Sequence, residues 1–260
     1  MRSFSLLVKP VGGDCNLDCR YCFYKYTHAK GRMTDALAAR VVNTYMMLPM
    51  MEHAICFQGG EPMLMPLSFY EKLDLFGCET SIQTNGTLIT DEWAEFFARN
   101  RWLVGISLDG TPEINEHFRQ KTDLVIKGIR LLEKYGVEFN ILSVVSKANL
   151  GREKEVGEYL RDNFAATRYQ FIRCAEQVTL KEYIDFMSKM AEVKDLPMVP
   201  YHKPYCCGTY LAVEHDGSVY PCDFNIDEKH RLGNVMKDSW ATLYSKGFTE
   251  ADLCNCPQIR

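Results

Sequence analysis

Short apolar runs alternate with longer amphipathic stretches along most of the chain. The apolar runs predict strands, and the stretches with a 3.6-residue period predict helices. We expect strands at 4–10, 53–58, 80–84, 103–108, 137–145 and 169–172, and helices at 34–48, 66–76, 90–100, 123–135, 150–163 and 180–193. Six strand–helix units in this order predict an α/β fold, with a parallel sheet and crossover helices on its outer face.

The pattern changes near residue 197. Three prolines lie close together there, at Pro197, Pro200 and Pro204, and the helical period is lost. We therefore predict one region over 1–196 and a smaller one over 197–260. In the smaller region, 208–214 and 218–222 alternate around an Asp-Gly pair, which predicts a β-hairpin. A small helix is expected over 232–244.

Polar motifs lie where four of the predicted strands end. A cysteine-rich loop follows the first strand, and polar residues follow the second, third and fourth strands at 59–62, 83–86 and 107–110. The carboxyl ends of parallel strands face one edge of a sheet, where such folds carry their chemistry. We expect the four motifs to share that edge.

The cysteine-rich loop places Cys15, Cys19 and Cys22 at a Cys-x3-Cys-x2-Cys spacing. A closed zinc or iron–sulfur site needs four protein ligands, and no further cysteine or histidine follows until His28. One metal would therefore stay open. An open iron of a four-iron cluster can chelate the amino and carboxylate groups of S-adenosylmethionine (AdoMet) before an electron cleaves it. A structural zinc knuckle or a set of cytosolic thiols is the alternative.

The composition limits the binding partners and the cellular compartment that we expect. The 260 residues include 30 Lys and Arg against 34 Asp and Glu, so no basic surface predicts a nucleic-acid or membrane partner. The first apolar run is too short for a signal peptide, and no stretch approaches the roughly 20 apolar residues of a membrane span. We expect a cytoplasmic protein. Eleven cysteines in a reducing compartment favour metal ligation over disulfides.

Five late cysteines could hold a second cluster or, alternatively, a zinc ion. They are Cys206, Cys207, Cys222, Cys254 and Cys256. Asp223 directly follows Cys222, so its carboxylate should lie close to whatever that cysteine binds. This makes Asp223 a candidate general base, although it could be an ordinary hairpin aspartate.

Other polar residues at the strand ends could contact a cofactor. Gly60 allows close backbone approach, and Glu61 could accept from an ammonium group. Ser107 and Asp109 could reach ribose hydroxyls or the carboxylate region of the cofactor. The guanidinium of Arg119 is suited to pairing with a carboxylate, although a solvated surface arginine is the simpler interpretation.

With these motifs, the chain resembles the radical AdoMet enzymes, and more closely the anaerobic sulfatase-maturing enzymes, which carry a carboxyl-terminal SPASM domain. The cysteine motif alone indicates only the superfamily. Its combination with Gln-Thr-Asn-Gly-Thr at 83–87 and Tyr-Pro-Cys-Asp-Phe at 220–224 is much narrower.

The resemblance implies a partial (β/α)6 barrel with a small SPASM or twitch-like extension that contains the hairpin. It implies AdoMet, a radical-generating [4Fe-4S] cluster and one auxiliary [4Fe-4S] cluster. The residues that would hold the radical-generating cluster are Cys15, Cys19 and Cys22. The residues that would contact AdoMet are Tyr21, Gly60, Ser107, Arg119 and Ala175. Cys207 and Cys222 would ligate the auxiliary cluster, and Asp223 would be the base.

Members of this family oxidise a cysteine or serine of a sulfatase peptide to formylglycine. The resemblance implies that a 5′-deoxyadenosyl radical takes a hydrogen atom from Cβ, that Asp223 takes the thiol or hydroxyl proton, and that the auxiliary cluster accepts the remaining electron. A reduced flavodoxin or ferredoxin would supply electrons. Two alternatives stay open: modification of another peptide, such as a thioether or carbon crosslink in a ribosomal natural product, and a non-catalytic zinc or iron–sulfur protein.

Overall fold

The computed structural model describes residues 3–199 and 209–248 of the chain. Within these residues the chain forms two compact units. The first unit contains 3–16, 23–83 and 209–248, and the second contains 17–22 and 84–199. The cysteine-rich loop begins in the first unit and continues in the second.

The described residues form strands and helices in an alternating order. The strands are β1 (Ser5–Val8), β2 (Ala54–Phe57), β3 (Glu79–Thr84), β4 (Leu103–Ser107), β5 (Phe139–Val145), β6 (Arg168–Arg173), β7 (Tyr210–Val213), β8 (Ser218–Tyr220) and β9 (Gly233–Asn234). The helices are α1 (Tyr24–Thr27), α2 (Asp35–Met46), α3 (Leu67–Glu71), α4 (Asp91–Asn100), α5 (Pro112–Phe118), α6 (Thr122–Tyr135), α7 (Glu153–Asn163), α8 (Leu180–Met190) and α9 (Trp240–Phe248).

The strands of the first unit pair in the order β3, β2, β1, β7, β8, β9. The first four are parallel, and the last two pairings are antiparallel. Leu6 in β1 is level with Ile55 in β2 and Leu211 in β7, and all three side chains are buried. Because β1 lies between β2 and β7, residues that follow these strands are brought close to one another.

The strands of the second unit pair in the order β4, β5, β6 and are parallel. Alternate residues of β5 are buried, as expected for a strand with one face against a core. Helices α4 and α6 pack against each other, as do α7 and α8. Within the described residues, β6 pairs with one named strand, β5, at the edge of this group of strands.

Most predicted elements are present, and side chains that begin helices explain several of their limits. The Thr34 side chain accepts the Leu37 N–H at 3.2 Å at the start of α2. Thr179 and Glu182 form a capping box at the start of α8. These bonds satisfy amide groups that have no partner inside the helix, which is why the helices begin there.

The structure differs from the sequence-based expectation at several places, and one of them is helix α1, which was not expected. The single helix expected over 232–244 is wrong, because β9 occupies its start and α9 begins only at Trp240. Gly233 has a φ of +155°, which is not helical. Helix α3 is also shorter than expected and ends at Glu71, and α5 was not expected at all.

In the parts of the chain that the structure describes, no helix combines the length and the apolar character needed to cross a membrane.

Candidate active site

The cysteine-rich loop follows β1 and carries three thiols. Cys19 is buried, whereas Cys15 and Cys22 are half-buried. The Cys22 N–H donates to the Cys19 carbonyl at 3.2 Å, so the second half of the motif forms a tight turn. A turn of this kind places two neighbouring ligands in one short segment.

The arrangement of the thiols bears on the kind of metal group that they could hold. Across the described residues, no three His, Cys, Asp or Glu side chains lie close enough to bind one metal ion. A zinc knuckle needs its ligands at about 2.3 Å from one ion. In a four-iron cluster each cysteine binds a different iron, so its ligands need not converge. Three thiolates from one loop are the donor set that a four-iron cluster with one open iron needs.

The Gly-Gly-Glu-Pro turn lies against the start of the cysteine-rich loop in the first unit. The Glu61 N–H donates to the Asp14 carbonyl at 2.8 Å. Gly60 has a φ of +41°, and a Cβ placed there would lie 2.0 Å from the same carbonyl oxygen. Only glycine can occupy this position without displacing the residue before Cys15.

The side chain of Glu61 is fully buried, and it begins the short 3₁₀ helix Pro62–Leu64. Its Oε1 accepts the Met63 N–H at 3.0 Å. Glu61 therefore shapes the turn locally, and the expectation that it accepts from an ammonium group remains a prediction.

In the second unit, Asp109 connects the cysteine-rich loop to Arg119. The Tyr21 hydroxyl donates to Asp109 Oδ2, and Arg119 Nε lies 3.0 Å from Asp109 Oδ1. Arg119 is buried, in contrast to the surface arginine considered as an alternative. Burial alone would lower the pKa of Arg119, but Asp109, Tyr21 and Cys19 together raise it above its ordinary value.

The remaining predicted AdoMet contacts lie at strand ends of the second unit. Ser107 is the last residue of β4 and is 9% exposed. Ala175 is half-buried in the turn after β6, where the Cys174 N–H donates to the Val145 carbonyl at 2.9 Å. Both positions agree with the expected strand ends.

Asp223 lies in the first unit among three side-chain donors. Lys9 Nζ forms an ion pair with Asp223 Oδ1. The Tyr24 hydroxyl donates to Asp223 Oδ2 at 2.7 Å, and Gln58 Nε2 donates to the same oxygen at 3.1 Å. Bonds of this kind favour the ionised form of a carboxylate.

The sheet explains why these four residues meet. Lys9 directly follows β1, and its N–H donates to the Val213 carbonyl at the end of β7. Gln58 directly follows β2, and its N–H donates to the Val8 carbonyl. Asp223 comes shortly after β8, which pairs with β7.

Lys9 and Gln58 were missed as functional candidates, whereas Tyr24 was expected to shield the cluster, stack on adenine or pack the loop. Lys9 is fully buried, and burial lowers its pKa to about 7 against the opposing effect of Glu214, Cys56 and Cys222. A lysine inside an apolar strand pattern was the available signal. Gln58 gave no such signal.

A histidine–glutamate pair lies beside this group. His28 Nδ1 is 2.9 Å from Glu214 Oε1, and both side chains are buried. The His28 ring stacks on Tyr24, with ring centroids 4.3 Å apart. Burial lowers the pKa of His28, although the Glu214 carboxylate opposes this effect.

Cys222 is the late cysteine that the structure describes. It is 5% exposed, and the Phe224 N–H donates to its Sγ at 3.4 Å. Backbone N–H donors to sulfur are typical of cluster-ligating cysteines, so Cys222 fits this role. The other late cysteines, Cys206, Cys207, Cys254 and Cys256, lie outside the described residues.

Two family models match the chain. The family model described as the radical SAM superfamily matches residues 10–155, and the model described as an iron-sulfur cluster-binding domain, SPASM, matches residues 206–257. The chain is similar to the cysteine-type anaerobic sulfatase-maturating enzyme of Clostridium novyi (strain NT), at 31% identity over 96% of this chain and 81% of the relative.

Two further proteins show the same likeness. The serine-type anaerobic sulfatase-maturating enzyme of Bacteroides thetaiotaomicron is 32% identical over 90% of this chain and 72% of its own length. The solved structure of native anSMEcpe with bound AdoMet and Cp18Cys peptide matches with a TM-score of 0.83 at 31% identity, covering 94% of this chain and 81% of that chain. The chain therefore belongs to the radical SAM superfamily and, within it, to the family of anaerobic sulfatase-maturating enzymes.

Proposed function

We propose that this protein oxidises a cysteine or serine side chain of a sulfatase-type peptide to formylglycine. The observation that carries the proposal is the buried Asp223 carboxylate with its three donors, in a chain of this family. Cysteine-type and serine-type relatives are similarly close, at 31% and 32% identity, so both substrate side chains are included.

The predicted cofactors are confirmed at the level of the family. A radical SAM domain implies AdoMet and a [4Fe-4S] cluster, and the SPASM match indicates an auxiliary iron–sulfur cluster. When bound, these groups supply the 5′-deoxyadenosyl radical that removes a hydrogen atom from the substrate Cβ and accept the electron that remains.

The ligands are part of the proposal. Cys15, Cys19 and Cys22 hold the radical-generating cluster, and Tyr21, Gly60, Ser107, Arg119 and Ala175 contact AdoMet. Cys222 ligates one auxiliary cluster together with cysteines of the group at 206, 207, 254 and 256. In this scheme residues 1–196 form the partial barrel and 197–260 form the auxiliary region.

Asp223 acts as the base in this scheme. Loss of a hydrogen atom from Cβ makes the neighbouring thiol or hydroxyl proton more acidic, so a carboxylate suffices to accept it. Lys9 and Gln58 hold Asp223 in place, and the buried position excludes bulk water from competing for the proton. Tyr24 donates to the carboxylate oxygen Oδ2, which fixes how the group is turned.

The partners follow from the chemistry. The substrate is a peptide, and a reduced flavodoxin or ferredoxin delivers the electron that cleaves AdoMet. A protein with thiolate-bound clusters also requires a reducing compartment, which supports the cytoplasm.

The test is anaerobic reconstitution with iron and sulfide, followed by incubation with reductant, AdoMet and a peptide that contains Cys-x-Pro-x-Arg. We expect 5′-deoxyadenosine and a peptide aldehyde that a hydrazide reagent captures. A matched peptide with serine at the cysteine position shows whether serine is also oxidised. A matched peptide with alanine gives the background signal. Release of 5′-deoxyadenosine without any peptide aldehyde would contradict the substrate assignment, and a fully loaded protein that cleaves no AdoMet would contradict radical chemistry altogether.

A further inference from the structure

Asp109 is a fully buried carboxylate whose two oxygens are both engaged by protein donors. Oδ1 accepts the Val144 N–H at 2.9 Å and lies 3.0 Å from Arg119 Nε. Oδ2 accepts the Tyr21 hydroxyl. The sequence alone suggested that Asp109 reaches the cofactor, but a carboxylate with these partners is a fixed internal anion.

The main chain of Asp109 is held as firmly as its side chain. Its N–H donates to Asn115 Oδ1 at 3.1 Å, and its carbonyl accepts from Asn149 Nδ2 at 3.3 Å. Both asparagines are fully buried. The position of the Asp109 carboxylate is therefore determined by β5, α5 and the turn after β5, and not by a ligand.

Arg119 and the cysteine-rich loop are joined around this anion. The Arg119 guanidinium lies over the Tyr21 ring, 5.3 Å from its centroid. The Tyr21 ring also contacts Phe118, with centroids 5.4 Å apart, and the Arg20 N–H donates to the Phe118 carbonyl at 3.1 Å. The loop segment between Cys19 and Cys22 is thus fixed to the end of α5.

The guanidinium of Arg119 has donors left for a ligand. Among residues 3–199 and 209–248, Arg119 forms its ion pair with Asp109, and Nε is the nitrogen that faces the carboxylate. The two terminal nitrogens form the flat fork that binds a carboxylate through two parallel hydrogen bonds. Such binding depends on how the fork is turned, and Asp109 restricts that rotation.

We propose that Asp109 is a positioning residue for AdoMet. It orients the Arg119 fork and the Tyr21 ring for the amino-acid part of AdoMet, and it does not contact AdoMet itself. The inference rests on the proposed AdoMet contacts of Arg119 and Tyr21, and it is independent of which peptide is the substrate.

The test measures AdoMet binding to the anaerobically reconstituted enzyme by equilibrium dialysis, without peptide. Asp109→Asn keeps one oxygen that can accept the Val144 N–H, places an NH2 group towards Tyr21, and removes the charge that orients Arg119. We expect the Kd for AdoMet to rise about tenfold, the size expected when one charge-assisted hydrogen bond to a ligand is misaligned. Glu113→Gln is the control, because Glu113 is an exposed carboxylate of α5 that pairs with Arg152.

Asp109→Glu separates positioning from simple charge balance. It keeps the negative charge beside Arg119 and moves the carboxylate by one methylene, so it also tests the proposal if Asp109→Asn fails to fold. Positioning predicts a raised KM for AdoMet, with the rate of 5′-deoxyadenosine release recovered at saturating AdoMet. A folded Asp109→Glu enzyme with the wild-type Kd overturns the proposal.

A double-mutant cycle with Arg119→Gln shows whether Asp109 acts through Arg119. We expect the effects of Asp109→Asn and Arg119→Gln on the Kd to be non-additive, since the first is exerted through the second. Additive effects overturn the proposal. Because peptide is absent, failure of the formylglycine assignment leaves this result unchanged, and that assignment is tested by peptide aldehyde formation.

Discussion

The Lys9–Asp223 pair makes the stability of this enzyme depend on two charges in its interior. Lys9 is fully buried, and the Asp223 side chain is 10% exposed, so water cannot hydrate either charge well after its partner is removed. Lys9→Met removes the charge and keeps an unbranched stem. That stem runs past Gly59, where a Cβ would lie 2.9 Å from Lys9 Cγ. Packing should therefore change little.

The expected loss follows from the burial of the pair. Removal of one partner from a buried ion pair costs about 3–5 kcal/mol, because the other charge is left uncompensated. Tyr24 and Gln58 still donate to Asp223, so the lower end of this range applies. In a protein of this size, about 3 kcal/mol corresponds to a decrease in Tm of about 6–12 °C.

The assay is anaerobic thermal unfolding of the reconstituted enzyme at one fixed scan rate, followed by tryptophan fluorescence. Asp223→Asn in the Lys9→Met background removes the uncompensated charge, so the double variant should be more stable than the sum of the single effects predicts. Lys72→Met is the control, since Lys72 and Asp35 form a surface pair 2.5 Å apart that contributes about 0–1 kcal/mol. A Lys9→Met enzyme that melts at the wild-type temperature, or single effects that add, would show that the buried pair does not stabilise the fold.

Three further variants test other parts of the site. Asp223→Asn should spare AdoMet cleavage but sharply reduce the aldehyde formed per 5′-deoxyadenosine, and an unchanged ratio would remove Asp223 from the mechanism. Gly60→Ala should lower the iron content after reconstitution, because the new Cβ would displace Asp14. Gly77→Ala is the control. Gly77 also has a positive φ, but no atom lies within 4 Å of its Cβ position, so this variant should retain its iron. Burial lowers the pKa of His28 in the folded protein. As the pH decreases, this histidine is therefore protonated in the unfolded chain before it is protonated in the folded protein. The free energy of unfolding should then fall as the pH decreases below about 6.5. His28→Gln should show a shallower acid limb in urea unfolding at a series of pH values.

The hydrophobic pattern predicted most of the order of strands and helices. It could do so because hydrophobic periodicity and turn residues determine local structure over a few neighbouring positions. It located α4 to within one residue at its start, since Thr90 is a helix-capping residue. It missed α5, which is seven residues long, begins at Pro112 and has no long apolar stripe. Local signals of this length are too weak to separate a helix from a turn.

The candidate site was predictable only where its residues form a local motif. The Cys-x3-Cys-x2-Cys spacing is visible in the sequence, and so is Asp223 beside Cys222. The contact between Lys9 and Asp223 joins residues 214 positions apart, and no local pattern encodes it. The role of Asp109 also depends on tertiary contacts, since its partners come from the cysteine-rich loop, from α5 and the residue after it, and from β5.

In the proposed reaction, a radical formed from AdoMet removes a hydrogen atom from Cβ of the target residue. The most direct measurement uses a Cys-x-Pro-x-Arg peptide whose cysteine carries deuterium at Cβ, with mass analysis of the 5′-deoxyadenosine that is released. We predict that deuterium from Cβ appears in 5′-deoxyadenosine, in proportion to the peptide aldehyde formed. Unlabelled 5′-deoxyadenosine together with peptide aldehyde would contradict the account.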